Sequence, residues 1–227
     1  MTINEAKLIR EHHPDTIRKR LSHKPKRQNV SDAILGGIDG CVTTFAVVSS
    51  VVGAGLPASV ALIMGFANLF ADGFSMAVSS YESIIAEIDH ADEIRRIEEE
   101  HIDIVPEGER EEIRQIFQKK GFKDDVLDEI TNTICQDRSL WLDTMLAEEH
   151  GLQKNNLSPY LSSITTFVAF VVVGAMPLLP FLVSGINIQE TFLISTLLAG
   201  LMFFSIGAIK GLLFKKSILI SGCRTLM

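Results

Sequence analysis

GGIDGCVTTFAVVSSVVGAG, Gly36 to Gly55, decides the fold. It is apolar and rich in small residues, and it carries one carboxylate, Asp39. Three further windows share its character, so nearly charge-free stretches run over about 33–55, 58–80, 161–183 and 191–214. Each is long enough to cross a hydrocarbon core, which takes about 20 apolar residues as a helix. Between the second and third lies a strongly charged segment. The pattern predicts an all-α, multi-pass membrane protein with a polar insert between two helical hairpins.

Basic residues set the expected orientation. Residues 1–30 hold eight Lys/Arg and no apolar run of the kind a signal peptide needs. Segment 82–154 holds nine, and Lys210, Lys215 and Lys216 cluster at the end of the fourth window. The turns GAGLPAS and SGINIQE hold none. Simple alternation puts 20 of the 21 basic residues on one side, Arg224 being the exception. The positive-inside rule makes that side cytoplasmic, N-terminus and insert included. The expected divisions are a basic arm at 1–30, spans one and two at 31–82, the acidic insert at 83–156, spans three and four at 157–214, and a partial fifth span at 215–227. SILISGCRTLM, from Ser217, is too short to cross a bilayer and reads as the start of a fifth span.

The insert is where the acidity lies. Segment 82–154 has 21 Asp/Glu against its nine Lys/Arg, a net charge of −12. Three helices are expected. The first continues the second span without Gly or Pro to about Asp103, a rod of roughly 65–70 Å from Ala58. The second starts at Pro106 and ends at Gly121, residues suited to first-turn and C′ positions. The third starts at Asp124 as N-cap and runs to about His150. An acidic stretch is ordinarily a solvated helical face. The spacing adds something here. Glu98 and His101 are i,i+3, Glu109 and Glu112 are i,i+3, and Met145 and Glu149 are i,i+4, so each pair shares a face of a different helix. Carboxylates, an imidazole and a thioether together suit a borderline cation such as Fe²⁺ better than Ca²⁺ or Mg²⁺. Glu87-x-x-His90 and Glu98-x-x-His101 also match the half-motif of di-iron bundles. On one helix they lie about 16 Å apart and cannot close one dinuclear centre.

Asp39 lies about 10 Å inside the cytoplasmic end of the first span. Met76, on the returning second span, lies at a similar depth of about 9 Å, with Asp72 one turn deeper. A carboxylate so placed costs several kcal/mol unless it is paired, hydrated or metal-bound. The first three spans offer no Lys or Arg to pair with it. An ion or proton pathway through Asp39, Met76 and Asp72 is the expectation, with Thr43 one turn beyond able to add oxygen. Gly36-xxx-Gly40 and Gly207-xxx-Gly211 are close-contact patterns that leave their partner helices open. Cys41, Cys135 and Cys223 are scattered and odd in number, and suggest neither a disulfide framework nor a thiolate metal site.

DGCVTTFAVVSSVVGAG followed by GFANLFADGFSMAVSSYES resembles the vacuolar iron transporter family. The similarity extends to VPEGEREEIRQIFQKKGF and WLDTMLAEEHGL in the insert and to GAMPLLPF in the third span. It implies a homodimer of five-span subunits whose three-helix cytoplasmic domain collects metal for a path at the dimer interface. Fe²⁺, and in some members Mn²⁺, would leave the cytosol in exchange for protons. By position, Asp39 and Met76 match the family's intramembrane site, and Glu98, Glu109, Glu112, Met145 and Glu149 its cytoplasmic one. Three departures stand out: His101 where the family has Glu, Leu146 where a second Met is common, and the short fifth span.

The expected function is therefore transport of Fe²⁺ or Mn²⁺ as bound substrate, in a cell membrane or a vacuole-type membrane. Its partners are divalent metal ions, protons, the lipid bilayer and a second copy, with no nucleic acid. The alternative is a membrane protein that binds or buffers iron without moving it, because its fifth span is incomplete. No activated nucleophile and no phosphate-binding loop supports an enzyme.

Overall fold

The computed structural model describes residues 9–22, 28–152, 158–183, 185 and 187–226. Helix α1 (Pro14–Ser22) precedes the first long apolar helix, α2 (Gln28–Gly53). Helix α3 (Ala58–Ile104) is the expected rod: 47 residues, uninterrupted. The insert continues with α4 (Pro106–Lys119), α5 (Asp124–Gln136) and α6 (Arg138–Glu148). Helix α7 (Pro159–Gly174), a 3-10 segment (Met176–Leu182), α8 (Ile188–Leu213) and the short α9 (Ile218–Leu226) complete the order. The described residues contain no strand.

Three helices, from Val30 to Gly53, Ala58 to Ile104 and Ile188 to Leu213, are long and apolar enough to cross a membrane. The third expected span is bent. Helix α7 and the 3-10 segment meet at 41° and make a fourth crossing only if counted together. Pro177 and Pro180 cause the break, since neither ring can donate to a helical ladder and each clashes with the preceding turn. Ser195 of α8 donates its hydroxyl to the freed carbonyl of Pro177 at 2.7 Å, so the break is satisfied internally.

Glycines set the helix pairing. A Cβ on Gly36 would stand 2.4 Å from the carbonyl oxygen of Thr166, and one on Gly40 2.4 Å from that of Phe170. Helices α2 and α7 therefore touch backbone to backbone. The second pattern packs elsewhere: Gly207 and Gly211 of α8 receive Ser221 and Thr225 of α9. Val48, Val51, Ala61, Leu69, Phe170 and Leu178 fill the core among α2, α3, α7 and the 3-10 segment. Outward, Ile63, Phe66, Phe70 and Phe74 on α3 and Leu193, Leu197 and Leu201 on α8 stay exposed at helical spacing. Such stripes fit lipid as their solvent, and the chain is an integral membrane protein.

A separate core of Ile102, Ile113, Ile134, Trp141, Leu142 and Met145 holds the insert together. Pro106 and Gly121 play their expected parts, Gly121 at φ +100. The third insert helix does not. A single helix from Asp124 to His150 was expected, and the chain breaks at Asp137, whose carboxylate accepts the backbone N–H groups of Ser139 and Leu140 and starts α6 afresh. The cap before Asp124 is Lys123, whose side chain makes no capping bond. Arg138 then donates to both carboxylate oxygens of Asp103, and Arg95 to Asp143 at 3.2 Å, fixing α6 against the rod.

Candidate metal site

No Gly or Pro lies between Phe74 and Val105, so α3 leaves the apolar zone and runs on into the insert. One face of its last turns presents Glu98 and His101, with Ile102 in the core beneath. Val105 breaks the helix at φ −132, and Pro106 opens α4 directly. That puts Glu109 in the first turn of α4, where the helix dipole favours a carboxylate. Helix α6 ends beside the same face. The N–H groups of Glu149 and His150 both donate to the carbonyl of Met145, and Gly151 at φ +67 turns the chain away.

These ends converge. Glu98 and Glu109 are 3% and 5% exposed, unusually low for acids. His101 Nδ1 lies 3.3 Å from Glu109 Oε1. His150 Nε2 lies 2.9 Å from Glu98 Oε1 and 3.8 Å from Glu149 Oε2. Two ligand-sized groups result: Glu98, His101 and Glu109, and Glu98, Glu149 and His150, with the donor atoms of each group within 4.8 Å of one another. Glu98 belongs to both. The Oε2 atoms of Glu98 and Glu109 are buried and have no N–H or hydroxyl donor among the described residues, and the two carboxyls are placed to share a proton between them. A buried, unpartnered carboxylate oxygen is costly, and a cation between these groups would relieve it.

The electrostatics agree. Burial, then the carboxylates of Glu112 and Glu98, push Glu109 up to about 7, with His101 acting against them. Burial and the same neighbouring acids, Glu112 and Glu98, also raise Glu149. Glu109, pushed up to about 7, can release a proton as a cation binds beside it. Oxygen and imidazole donors suit a borderline divalent ion.

The other expected residues fall as follows. Glu112 is exposed on α4 beside Glu109 and Glu149. Met145 is fully buried in the insert core, beneath the end of α6. His90 and Glu87 are exposed and lie along the rod from Glu98, as the spacing required. Asp39 is half-buried on α2, and Thr43 spends its hydroxyl on the backbone carbonyl of Asp39 at 2.9 Å. Asp72 is half-buried on α3. Met76 packs against the membrane core and lines a cavity of about 390 Å³ with Asp32, Ser80, Glu87 and Ser162, whose lining does not include Asp39. In that cavity Ser162 donates to Asp32 at 2.6 Å and lies 2.9 Å from the Ser80 hydroxyl, so α2, α3 and α7 are tied at the insert end.

Sequence reasoning missed His150 and Asp32. His150 was legible only as the last residue of an expected helix. The signal that could have found it is its place next to Glu149 and just before Gly151. Asp32 sits at the edge of the first apolar window, where an acid raises no suspicion.

Comparison with known proteins gives a consistent answer. Residues 30–227 match the model of the VIT family. Vacuolar iron transporter 1 of Oryza sativa subsp. japonica is 32% identical over 203 residues, covering 88% of this chain and 77% of that one. Vacuolar iron transporter 1 of Arabidopsis thaliana is 30% identical over 209 residues, covering 91% and 80%. The protein of the same name from Tulipa gesneriana is 34% identical over 185 residues, covering 80% and 74%.

Proposed function

Because the chain belongs to the VIT family, we propose that it is a membrane transporter of divalent iron, with Mn²⁺ as a second substrate, moving metal out of the cytosol in exchange for protons. The insert is cytoplasmic and captures the ion. Glu98, His101, Glu109, Glu149 and His150 supply the capturing donors, Glu112 adds charge at the mouth, and Met145 adds a soft donor from below. The ion then enters the membrane past Met76 and Asp39, with Asp72 deeper on the same helix as Met76. Protons displaced from the crowded carboxylates supply a coupling that needs no other cofactor.

The observation that carries this reading is the pair of buried carboxylates, Glu98 and Glu109, each with a shielded oxygen that no N–H or hydroxyl of the described residues reaches and each facing an imidazole. The test is Fe²⁺ uptake into proteoliposomes with a proton gradient. Asp39→Ala abolishes uptake and leaves metal binding to the insert intact. Glu98→Gln weakens both. Unchanged uptake in Asp39→Ala overturns the pathway, and uptake that ignores the proton gradient overturns the exchange.

A further inference from the structure

Helix α9 lies back along α8 in the opposite direction. Gly211 meets Ser217 and Ser221, Gly207 meets Ser221 and Thr225, and Gly200 meets Leu226. Arg224 therefore stands six residues past Ile218, about 9 Å up the side of an apolar helix. An arginine carried on an apolar helix beside a membrane span is expensive where it meets hydrocarbon unless something pairs with it. Its neighbours raise the cost. Arg224, Lys210 and Lys216 line one cavity of about 370 Å³ between α8 and α9, together with Phe214, Ser221 and Thr225. All three cations are exposed to that space, and none forms an ion pair with a carboxylate among the described residues. Three like charges around one hollow, with two hydroxyl-bearing residues beside them, suit an anion with several oxygens.

The outer face of α9 points to the anion's source. Leu219, Ile220, Cys223 and Arg224 form an apolar strip there. Arg224 is common to both, so a polar hollow and an oily strip join at its side chain. A free phosphate would use only the first. A phospholipid would use both, its phosphate among the cations and an acyl chain along Leu219 and Ile220.

We propose that the cleft between α8 and α9 is a phosphate-binding site filled by the headgroup of an anionic phospholipid. Basic pockets at the end of a membrane helix have the right chemistry for such headgroups, and each cation contributes on the order of 1 kcal/mol, about fivefold in occupancy. The site is remote from the metal cluster in sequence and depends on none of its residues.

Native mass spectrometry of the full chain in neutral detergent tests it, with phosphatidylglycerol and phosphatidylcholine offered in equal amounts. The wild type retains phosphatidylglycerol in preference. Arg224→Gln and Lys216→Gln each reduce that preference about fivefold. Lys215→Gln, on the same turn but outside the cavity lining, leaves it unchanged. Should Arg224→Gln fail to fold, Lys216→Gln decides alone, since its side chain is exposed. Equal retention of the two lipids overturns the proposal. So does an equal loss in Lys215→Gln, which assigns the effect to general surface charge. Complete displacement of phosphatidylglycerol by millimolar inorganic phosphate assigns the cavity to the free ion and overturns the lipid reading.

Discussion

His150 Nε2 lies 2.9 Å from Glu98 Oε1, and the two residues are 52 positions apart in the chain. The contact closes the end of α6 onto the rod and makes an imidazole the nearest neighbour of a buried carboxylate. His150→Ala leaves Glu98 without that partner, which lowers the stability of the metal-free protein by about 1–3 kcal/mol. It also weakens divalent metal binding by about tenfold or more. Cobalt(II) titration reads the difference between a ligand and a prop. Loss of a nitrogen donor moves the visible absorption band, whereas a band that weakens in affinity but stays in place counts against His150 as a ligand.

Glu109 supplies a pH dependence with a definite sign. Its folded value is raised from the usual 4.5 to about 7, first by burial and then by Glu112 and Glu98. Between those two values the folded chain keeps a proton that the unfolded chain has released. This group's share of stability is therefore lost as pH rises through the window and changes little above it. Metal needs the bare carboxylate, so apparent affinity rises across the same window. Glu109→Gln flattens both slopes. Denaturation midpoints and metal titrations of wild type and variant, compared across the window, check it. Parallel slopes in the two proteins would remove Glu109 from the account.

Gly40→Ala places a Cβ 2.4 Å from the carbonyl oxygen of Phe170, and a backbone atom on a packed helix cannot step aside. The expected cost is about 1–3 kcal/mol or more, seen as a lower melting temperature in detergent. Gly53→Ala meets no atom within 4 Å and serves as the control. Equal melting of the two variants would mean that α2 and α7 are not in backbone contact.

Asp137→Ala removes the acceptor for two N–H groups at the start of α6. Loss of an N-cap costs about 1 kcal/mol. The effect travels to the far end of the helix, which carries Glu149 and His150. Metal affinity falls along with stability, although residue 137 touches no donor. Asp137→Asn, which keeps an accepting oxygen, restores most of both. Failure of that rescue would assign the loss to the negative charge instead of the cap.

The long elements were legible because their causes are local. A charge-free window of sufficient length fixes α2 and α8, and the absence of Gly and Pro after Phe74 fixes the length of α3. Pro106 and Gly121 mark the ends of α4 for equally local reasons. The bend after Gly174 was written in MPLLP but is hidden from a hydropathy window, which sums composition and ignores missing donors. The break at Asp137 was misread because a capping carboxylate looks like one more acid in an acidic stretch. Within the site, i,i+3 spacing paired Glu98 with His101. It could not bring Glu109 or His150 to them, because those meetings depend on the turn at Val105 and on how α6 docks through Arg138 and Asp103. Glycine patterns predicted close contact without naming partners. The partners, α7 for one and α9 for the other, depend on tertiary packing.

One consequence of the unbroken α3 is mechanical. Met76 and Glu98 sit about 33 Å apart on the same helix, with no Gly or Pro hinge between them. The helix is a continuous beam that joins the apolar zone to the insert. A rotation of about 5° at the end of the apolar zone near Glu82, some 24 Å from Glu98, displaces Glu98 by about 2 Å, the length of a ligand bond. The gearing also runs in reverse. A cation that draws α4 and α6 onto the end of the beam acts with a long arm on the helices around Met76. On the proposed function, the geometry of the metal cluster and that of the helices around Met76 are tied by one rigid element.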